Sequence, residues 1–140
     1  MSQVFDDIDR AIKDIAEGRP VVVVDDADRE NEGDIILAAR LATPELLAFM
    51  IRYTSGVICV PLPGAELDRL HLPLMTSQNT EHMRTAFTLS VDARHGVSTG
   101  ISAADRATTI ARLVDPQTTA QDLVRPGHIF PLRYLSLIHI

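Results

Sequence analysis

At 140 residues, with 46% hydrophobic and 23% charged content, the chain is long enough to bury a core and too apolar to be disordered. A net charge of −6, no Lys/Arg stripe, and only four Phe and two Tyr with no Trp exclude a basic or base-stacking nucleic-acid surface. No apolar run approaches a membrane span, the N-terminal stretch is acidic, and the one cysteine, Cys59, fits a reducing cytoplasm.

The expected partners are therefore small molecules, metal ions or a second copy of the chain. Val4, Ile8, Ala11, Ile12 and Ile15 share one helical face and predict an amphipathic first helix, ended by Gly18 and blocked by Pro20. Residues 21–24 are four valines without alternation, the pattern of a short strand buried on both faces. An acidic loop follows, expected at the end of that buried strand, and Ile35 to Ala39 reads as a further extended segment. Thr43-Pro44-Glu45 is a helix start, with Thr as N-cap and Pro in the first turn. Leu46, Leu47, Met50 and Ile51 supply that helix's buried face, and Gly56 closes it. Residues 57–60 predict a second buried strand stopped by Pro61 and Pro63, with Cys59 as an inert core thiol.

Residues 65–70 suit a brief helix, and 73–84 a long polar loop of the kind that often serves as a lid. Alternation over 85–91 predicts a half-exposed strand. Gly96 to Ser102 approaches a helix that starts with a capping-box-like pair, Ser102 and Asp105, and runs to about Val114. A short helix over 119–124 and a strand over 128–132 complete the pattern. Helices and strands intermix irregularly, as in an α+β or α/β single domain.

The chemistry concentrates in residues 25–34, where six carboxylates surround Arg29, Asn31 and Gly33. Such a run needs a divalent cation, the arginine or full hydration to offset its repulsion, and a solvated turn is the plain alternative. A calcium-binding EF-hand starting at Asp28 fails, because Ala39 stands where the bidentate Glu is required. A Mg²⁺ or Mn²⁺ site fits better, since these ions take one or two protein carboxylates and otherwise water or substrate oxygens. Arg29 beside Glu30 offers a fork for a substrate phosphate or carboxylate, and Asp34 with Glu32 a general base and its partner. Ser98 to Ser102 precedes a helix N-terminus, which suits an anion or simply a cap. Arg125-Pro126-Gly127 delivers His128 to a strand start, in a catalytic or a structural role. His71, His82 and His95 lie in loops with nothing local to pair them.

Four stretches in order resemble the 3,4-dihydroxy-2-butanone 4-phosphate synthases of riboflavin biosynthesis. They are Asp25-Asp-Ala-Asp-Arg-Glu-Asn-Glu-Gly-Asp34, Tyr53-Thr-Ser-Gly-Val-Ile-Cys59, Ser98-Thr-Gly-Ile-Ser-Ala-Ala-Asp-Arg106 and Arg125-Pro-Gly-His-Ile-Phe-Pro-Leu-Arg133. The likeness is greatest to the form fused to a GTP cyclohydrolase II domain. It implies a cytoplasmic, homodimeric lyase with a mixed sheet and surrounding helices. It also implies conversion of D-ribulose 5-phosphate to 3,4-dihydroxy-2-butanone 4-phosphate and formate with Mg²⁺ or Mn²⁺. By the same resemblance Glu30 is a metal ligand; Arg29, Glu30, Asp34 and Thr99 bind substrate; His128, Glu32 and Asp25 serve catalysis. Cys59 is placed at the same site.

The resemblance departs after Arg133. The family pattern continues through a glycine-rich, phosphate-binding segment to an Arg-x-Gly-His-Thr motif, whose His is the second metal ligand, and to a later Glu. Here Tyr134-Leu135-Ser136-Leu137-Ile138-His139-Ile140 follows. The expectation is a synthase domain over residues 1–133, incomplete at its C-terminus, with a non-family tail over 134–140. The alternative to an active lyase is then a catalytically inactive fragment that lacks the second ligand and the phosphate segment.

Overall fold

Asp7 starts the first helix by accepting the N–H groups of Asp9 (2.8 Å) and Arg10 (3.2 Å) on its carboxylate, satisfying donors that a helix start leaves without partners. Helix α1 runs over Ile8–Ala16 and ends at Gly18, whose φ of +80° is the left-handed conformation expected there. The computed structural model describes residues 5–134, so Val4 and positions 135–140 of the expected tail lie outside the described residues. Two compact units divide after Ala42.

In the first unit, β1 (Val21–Val24) pairs antiparallel with β2 (Gly33–Ile36), Val21 opposite Ile36 and Val24 opposite Gly33. The expected burial of residues 21–24 on both faces is corrected: Val22 is 67% exposed, and Val23 and Val24 are also exposed. The valine run had the texture of a central parallel strand. Among the described residues, however, its partner is the segment immediately downstream, and the acidic stretch becomes a hairpin loop rather than the mouth of a buried strand. The extended segment from Ile35 stops at Ile36, and a 3₁₀ turn forms over Ala39–Leu41.

The second unit begins with α2 (Pro44–Tyr53), where Thr43 Oγ1 accepts the Leu46 N–H at 3.3 Å and Pro44 occupies the first turn, as expected. Leu47 is fully buried; Leu46, Met50 and Ile51 are half-buried. Strand β3 (Cys59–Pro63), β4 (Val91–Ala93) and β5 (Leu123–Tyr134) form a mixed sheet with β5 in the middle, parallel to β3 and antiparallel to β4. Helices α3 (Gly64–Arg69) and α4 (Ala103–Leu113) complete the unit, and α2 packs on α4. Leu47, Leu67, Leu70, Val91, Leu113 and Ile129 form the centre of its core.

Five expectations change here. Pro61 and Pro63 do not stop β3 but lie inside it, because among the described residues β3 is a sheet edge and a missing outward N–H costs no ladder bond. Burial along β3 alternates, Val60 and Leu62 inward, so Cys59 is exposed rather than a core thiol. Residues 85–91 make only isolated bridges, Leu74 with Thr88 and Phe87 with Leu132, and the strand proper is displaced onto Val91–Ala93. The helix expected over 119–124 is one 3₁₀ turn, Ala120–Asp122, capped reciprocally by Thr119 and Asp122, after which β5 starts five residues before His128. Arg125, Pro126 and Gly127, expected just ahead of a strand that starts at His128, instead lie inside β5 where it bulges, the ladder jumping from Val91↔Ile129 to Asp92↔Val124. The 73–84 loop and the α4 boundaries match expectation. Among the described residues no helix is long and apolar enough to cross a membrane.

Candidate active site

In the first unit, Asp25 organises the hairpin loop. Its N–H donates to the Glu32 carbonyl at 3.0 Å, closing the neck. Its carboxylate accepts the Asp26 N–H (2.8 Å), the Glu30 N–H (3.0 Å) and Arg29 Nε (2.5 Å). These donors, the Glu30 N–H foremost, hold the Asp25 carboxyl below the ordinary carboxylate range against a smaller effect of partial desolvation. Arg29, whose pKa the Asp25 hydrogen bond in turn raises, also approaches Glu30 Oε2 at 3.5 Å. Asp34 lies on β2 opposite Val23, and its charge also acts on Arg29. Glu32 contributes its carbonyl to the neck and is otherwise exposed.

Asp25, Arg29 and Glu30 are therefore brought together, with Asp34 and Glu32 at the base of the same hairpin. The donors available to a metal are hard carboxylate oxygens, chiefly the partly exposed Glu30. Among the described residues no group of three or more His, Cys, Asp or Glu can hold an ion. Such a donor set fits a Mg²⁺-like cation that keeps most of its water, and fits no ion that needs a closed protein cage.

In the second unit, His128 rests on a carboxylate that the sequence reading did not single out. Asp92 on β4 is 6% exposed, and it accepts the His128 N–H on Oδ1 (2.9 Å) and His128 Nδ1 on Oδ2 (2.7 Å). Ser90 Oγ accepts the Gly127 N–H at 3.1 Å and ties down the residue before it. Two glycines make room: a Cβ on Gly100, at φ +88°, would overlap the Asp92 carboxylate, and one on Gly127 would overlap the backbone of Val91 and Asp92. A carboxylate between Val91 and Ala93, both apolar, was the available signal, since a buried Asp needs partners.

Thr99 stands exposed on the turn that leads to Gly100. The turn is clamped from below by buried Asp105, whose carboxylate accepts the Ser98 N–H (3.1 Å), the Ser98 hydroxyl (2.8 Å) and the Gly100 N–H (3.0 Å). The Ser98 hydroxyl, then the backbone donors, hold Asp105 below the usual carboxylate range. This amends the capping-box expectation. The Asp105 N–H does donate to Ser102 Oγ at 3.0 Å, but the carboxylate shapes the Ser98–Gly100 turn. Buried Arg106 donates from Nε to the Ile101 carbonyl (2.9 Å) and from Nη1 to the Gly56 carbonyl (2.6 Å), joining two of the four stretches. Cys59 pairs with Phe130 of β5 on the opposite edge of the sheet from β4. Thr99 and His128 are thus brought into one neighbourhood through Gly100 and Asp92.

A family model described as 3,4-dihydroxy-2-butanone 4-phosphate synthase matches residues 9–137. The chain is 65% identical over 129 residues to the riboflavin biosynthesis protein RibBA of Nocardia farcinica and 63% identical to that of Rhodococcus jostii, in each case over 92% of this chain. It spans 31% of the length of these two relatives. Among solved structures, a 3,4-dihydroxy-2-butanone 4-phosphate synthase in complex with two magnesium ions superposes with a TM-score of 0.92 at 46% identity, covering 94% of this chain and 62% of that one. The corresponding protein of Candida albicans gives 0.84 at 44% identity, over 96% of this chain and 65% of that one.

Proposed function

The chain belongs to the 3,4-dihydroxy-2-butanone 4-phosphate synthase family, and from that premise we propose that it serves riboflavin biosynthesis as a lyase. The reaction proposed is conversion of D-ribulose 5-phosphate to 3,4-dihydroxy-2-butanone 4-phosphate and formate, in a cytoplasmic homodimer. What carries the proposal is the hairpin loop, in which one carboxylate, Asp25, holds both the Arg29 guanidinium and the Glu30 backbone. That arrangement presents a cation, Arg29, and a carboxylate, Glu30, side by side, as positioning a sugar phosphate requires.

In this assignment Arg29, kept charged by Asp25, binds an anionic or hydroxyl oxygen of the substrate. Asp34 orients the substrate's hydroxyls, and the family resemblance assigns Thr99 to substrate binding as well. Glu32 and Asp25 supply carboxylates for the proton transfers that enolisation, loss of water and release of formate require, and His128 moves a proton from its ring. Glu30 is the residue that would hold Mg²⁺ or Mn²⁺, which when bound polarises adjacent oxygens of the substrate. The solved relative with two magnesium ions supports the choice of a divalent cation.

The test is formate release from ribulose 5-phosphate with Mg²⁺ by the purified chain and by Glu30→Ala. A loss of about 100-fold or more in the variant is expected, the scale of removing a group that stabilises charge in the transition state. No formate from the parent chain above the Glu30→Ala background overturns the proposal. A second reading, a catalytically inactive chain, is favoured by the lack of a three-ligand group among the described residues. It requires loose, roughly millimolar cation binding, because a single carboxylate cannot hold such an ion tightly. Tight, stoichiometric Mn²⁺ binding by calorimetry eliminates it.

A further inference from the structure

We infer that Asp92 is the positioning residue for His128, fixing its ring as the Nδ1–H tautomer so that Nε2 is the nitrogen that exchanges protons. The inference rests on the proposed role of His128 and adds a residue and an atom to it. Three observations combine. Asp92 is 6% exposed, and both of its carboxylate oxygens are taken by one residue, His128. The bond to Oδ1 comes from a backbone N–H, which can only donate, and a carboxylate can only accept. Oδ2 at 2.7 Å from Nδ1 therefore receives a proton from the ring, which leaves the lone pair of the neutral imidazole on Nε2. The His128 side chain is 39% exposed, so the end of the ring away from Asp92 has access to a substrate.

The surroundings hold this pair from three sides. Gly100 abuts the Asp92 carboxylate with no room for a side chain, Ser90 Oγ anchors the Gly127 N–H, and β4 and β5 fix Asp92 and His128 in one sheet. A carboxylate packed this closely and satisfied by a histidine alone resembles the orienting acid of a triad more than a structural ion pair. In such an arrangement the acid sets which ring nitrogen carries the proton and does not itself need to accept one.

Asp92→Asn separates positioning from mere structure. The amide oxygen remains pinned to the His128 N–H, since an amide NH₂ there would face another donor. The NH₂ group then faces Nδ1 and forces the proton onto Nε2. The shape is conserved and the tautomer is inverted.

The experiment reads the ring ¹⁵N shifts of His128 by NMR, in the full 140-residue chain and in Asp92→Asn, alongside formate kinetics. The expected result is an Nδ1–H ring in the parent and an Nε2–H ring in the variant. A fall in kcat on the order of 10³–10⁴-fold is expected, by analogy with the same change in a serine-protease triad. KM should stay within about threefold, since substrate binding is not what the change removes. An Nε2–H ring in the parent chain overturns the inference without recourse to any variant. So does an unchanged tautomer in Asp92→Asn, or an inverted tautomer with kcat within about tenfold of the parent. A parent chain that releases no formate overturns the proposed function, while the ring spectra still decide the role of Asp92.

Discussion

Gly100→Ala tests the packing on which the second unit's candidate residues depend. Gly100 has φ +88°, and an added Cβ would overlap the carboxylate of Asp92, which is bonded to His128 through both oxygens. Two costs add. A left-handed backbone at a residue with a Cβ costs about 1–2 kcal/mol. Displacing Asp92 weakens two hydrogen bonds to a charged group, which at about 1.5–3 kcal/mol each when lost outright gives roughly 2–4 kcal/mol for partial loss of both. The sum, about 3–6 kcal/mol, is a large fraction of a typical stability of about 5–15 kcal/mol. Gly96→Ala is the internal control. Its φ is +81°, but the new Cβ would meet only Thr108 Cγ2 at 3.6 Å, an ordinary contact. It carries the backbone cost alone, about 1–2 kcal/mol. Urea unfolding of the two variants beside the parent isolates the Asp92 contribution as the difference in midpoint at constant m-value. Agreement of the two variants to within about 0.5 kcal/mol would refute the claim that Gly100 is small because Asp92 fills its space.

Asp105 supplies a pH test. Its folded pKa is depressed, foremost by the Ser98 hydroxyl, so its contribution to stability is fully present above the unfolded value of about 3.9 and is lost as pH falls through the folded value. Asp105→Asn should therefore flatten the acid side of the stability curve, measured as urea midpoints between about pH 7 and about pH 3; curves that run parallel to the parent's contradict the assignment. Burial supplies another test. Leu113→Ala, at 1% exposed, should cost about 2–5 kcal/mol, while Val22→Ala, at 67% exposed, should stay within about 0.5 kcal/mol; equal costs in the same unfolding assay would refute the inside-outside assignment.

What the sequence made legible was whatever depends on local rules. Thr43, Pro44, Gly18, Ser102 and the α4 boundaries follow from caps and fixed dihedrals, which operate within one turn. The acidic stretch was also visible, because six carboxylates in ten positions need some compensation. The compensation itself was not visible, since Asp25 bonding to Arg29 and to the Glu30 N–H is a property of the folded hairpin. Pairing was equally hidden. Val21 to Val24 has the composition of a central strand and lies in a two-stranded hairpin, while Cys59 to Pro63 has two prolines and is a strand because it is an edge. Neither neighbour relation is encoded in the segment's own residues. Asp92 escaped notice for a related reason: its partner is 36 positions away in sequence.

The Arg125-Pro126-Gly127-His128 motif shows how one stretch meets a packing demand and a chemical demand at once. Judged locally it is a turn, and as a turn it gives no reason for a histidine. In the sheet it is a bulge in β5, opposite the step from Val91 to Asp92 in β4. Gly127 has to be glycine because β5 passes too close to the β4 backbone for a Cβ. That same closeness brings the His128 N–H within 2.9 Å of Asp92. The bulge lifts His128 out of the regular ladder, so its N–H is free to bond the Asp92 side chain instead of a strand carbonyl. Once the backbone is held on Oδ1, the ring can reach Oδ2 at 2.7 Å, and the histidine is oriented by two bonds to a single buried group. A regular strand at this position would satisfy the His128 N–H within the sheet and leave the ring without its anchor. The glycine of this stretch is thus what allows the strand to carry an oriented histidine.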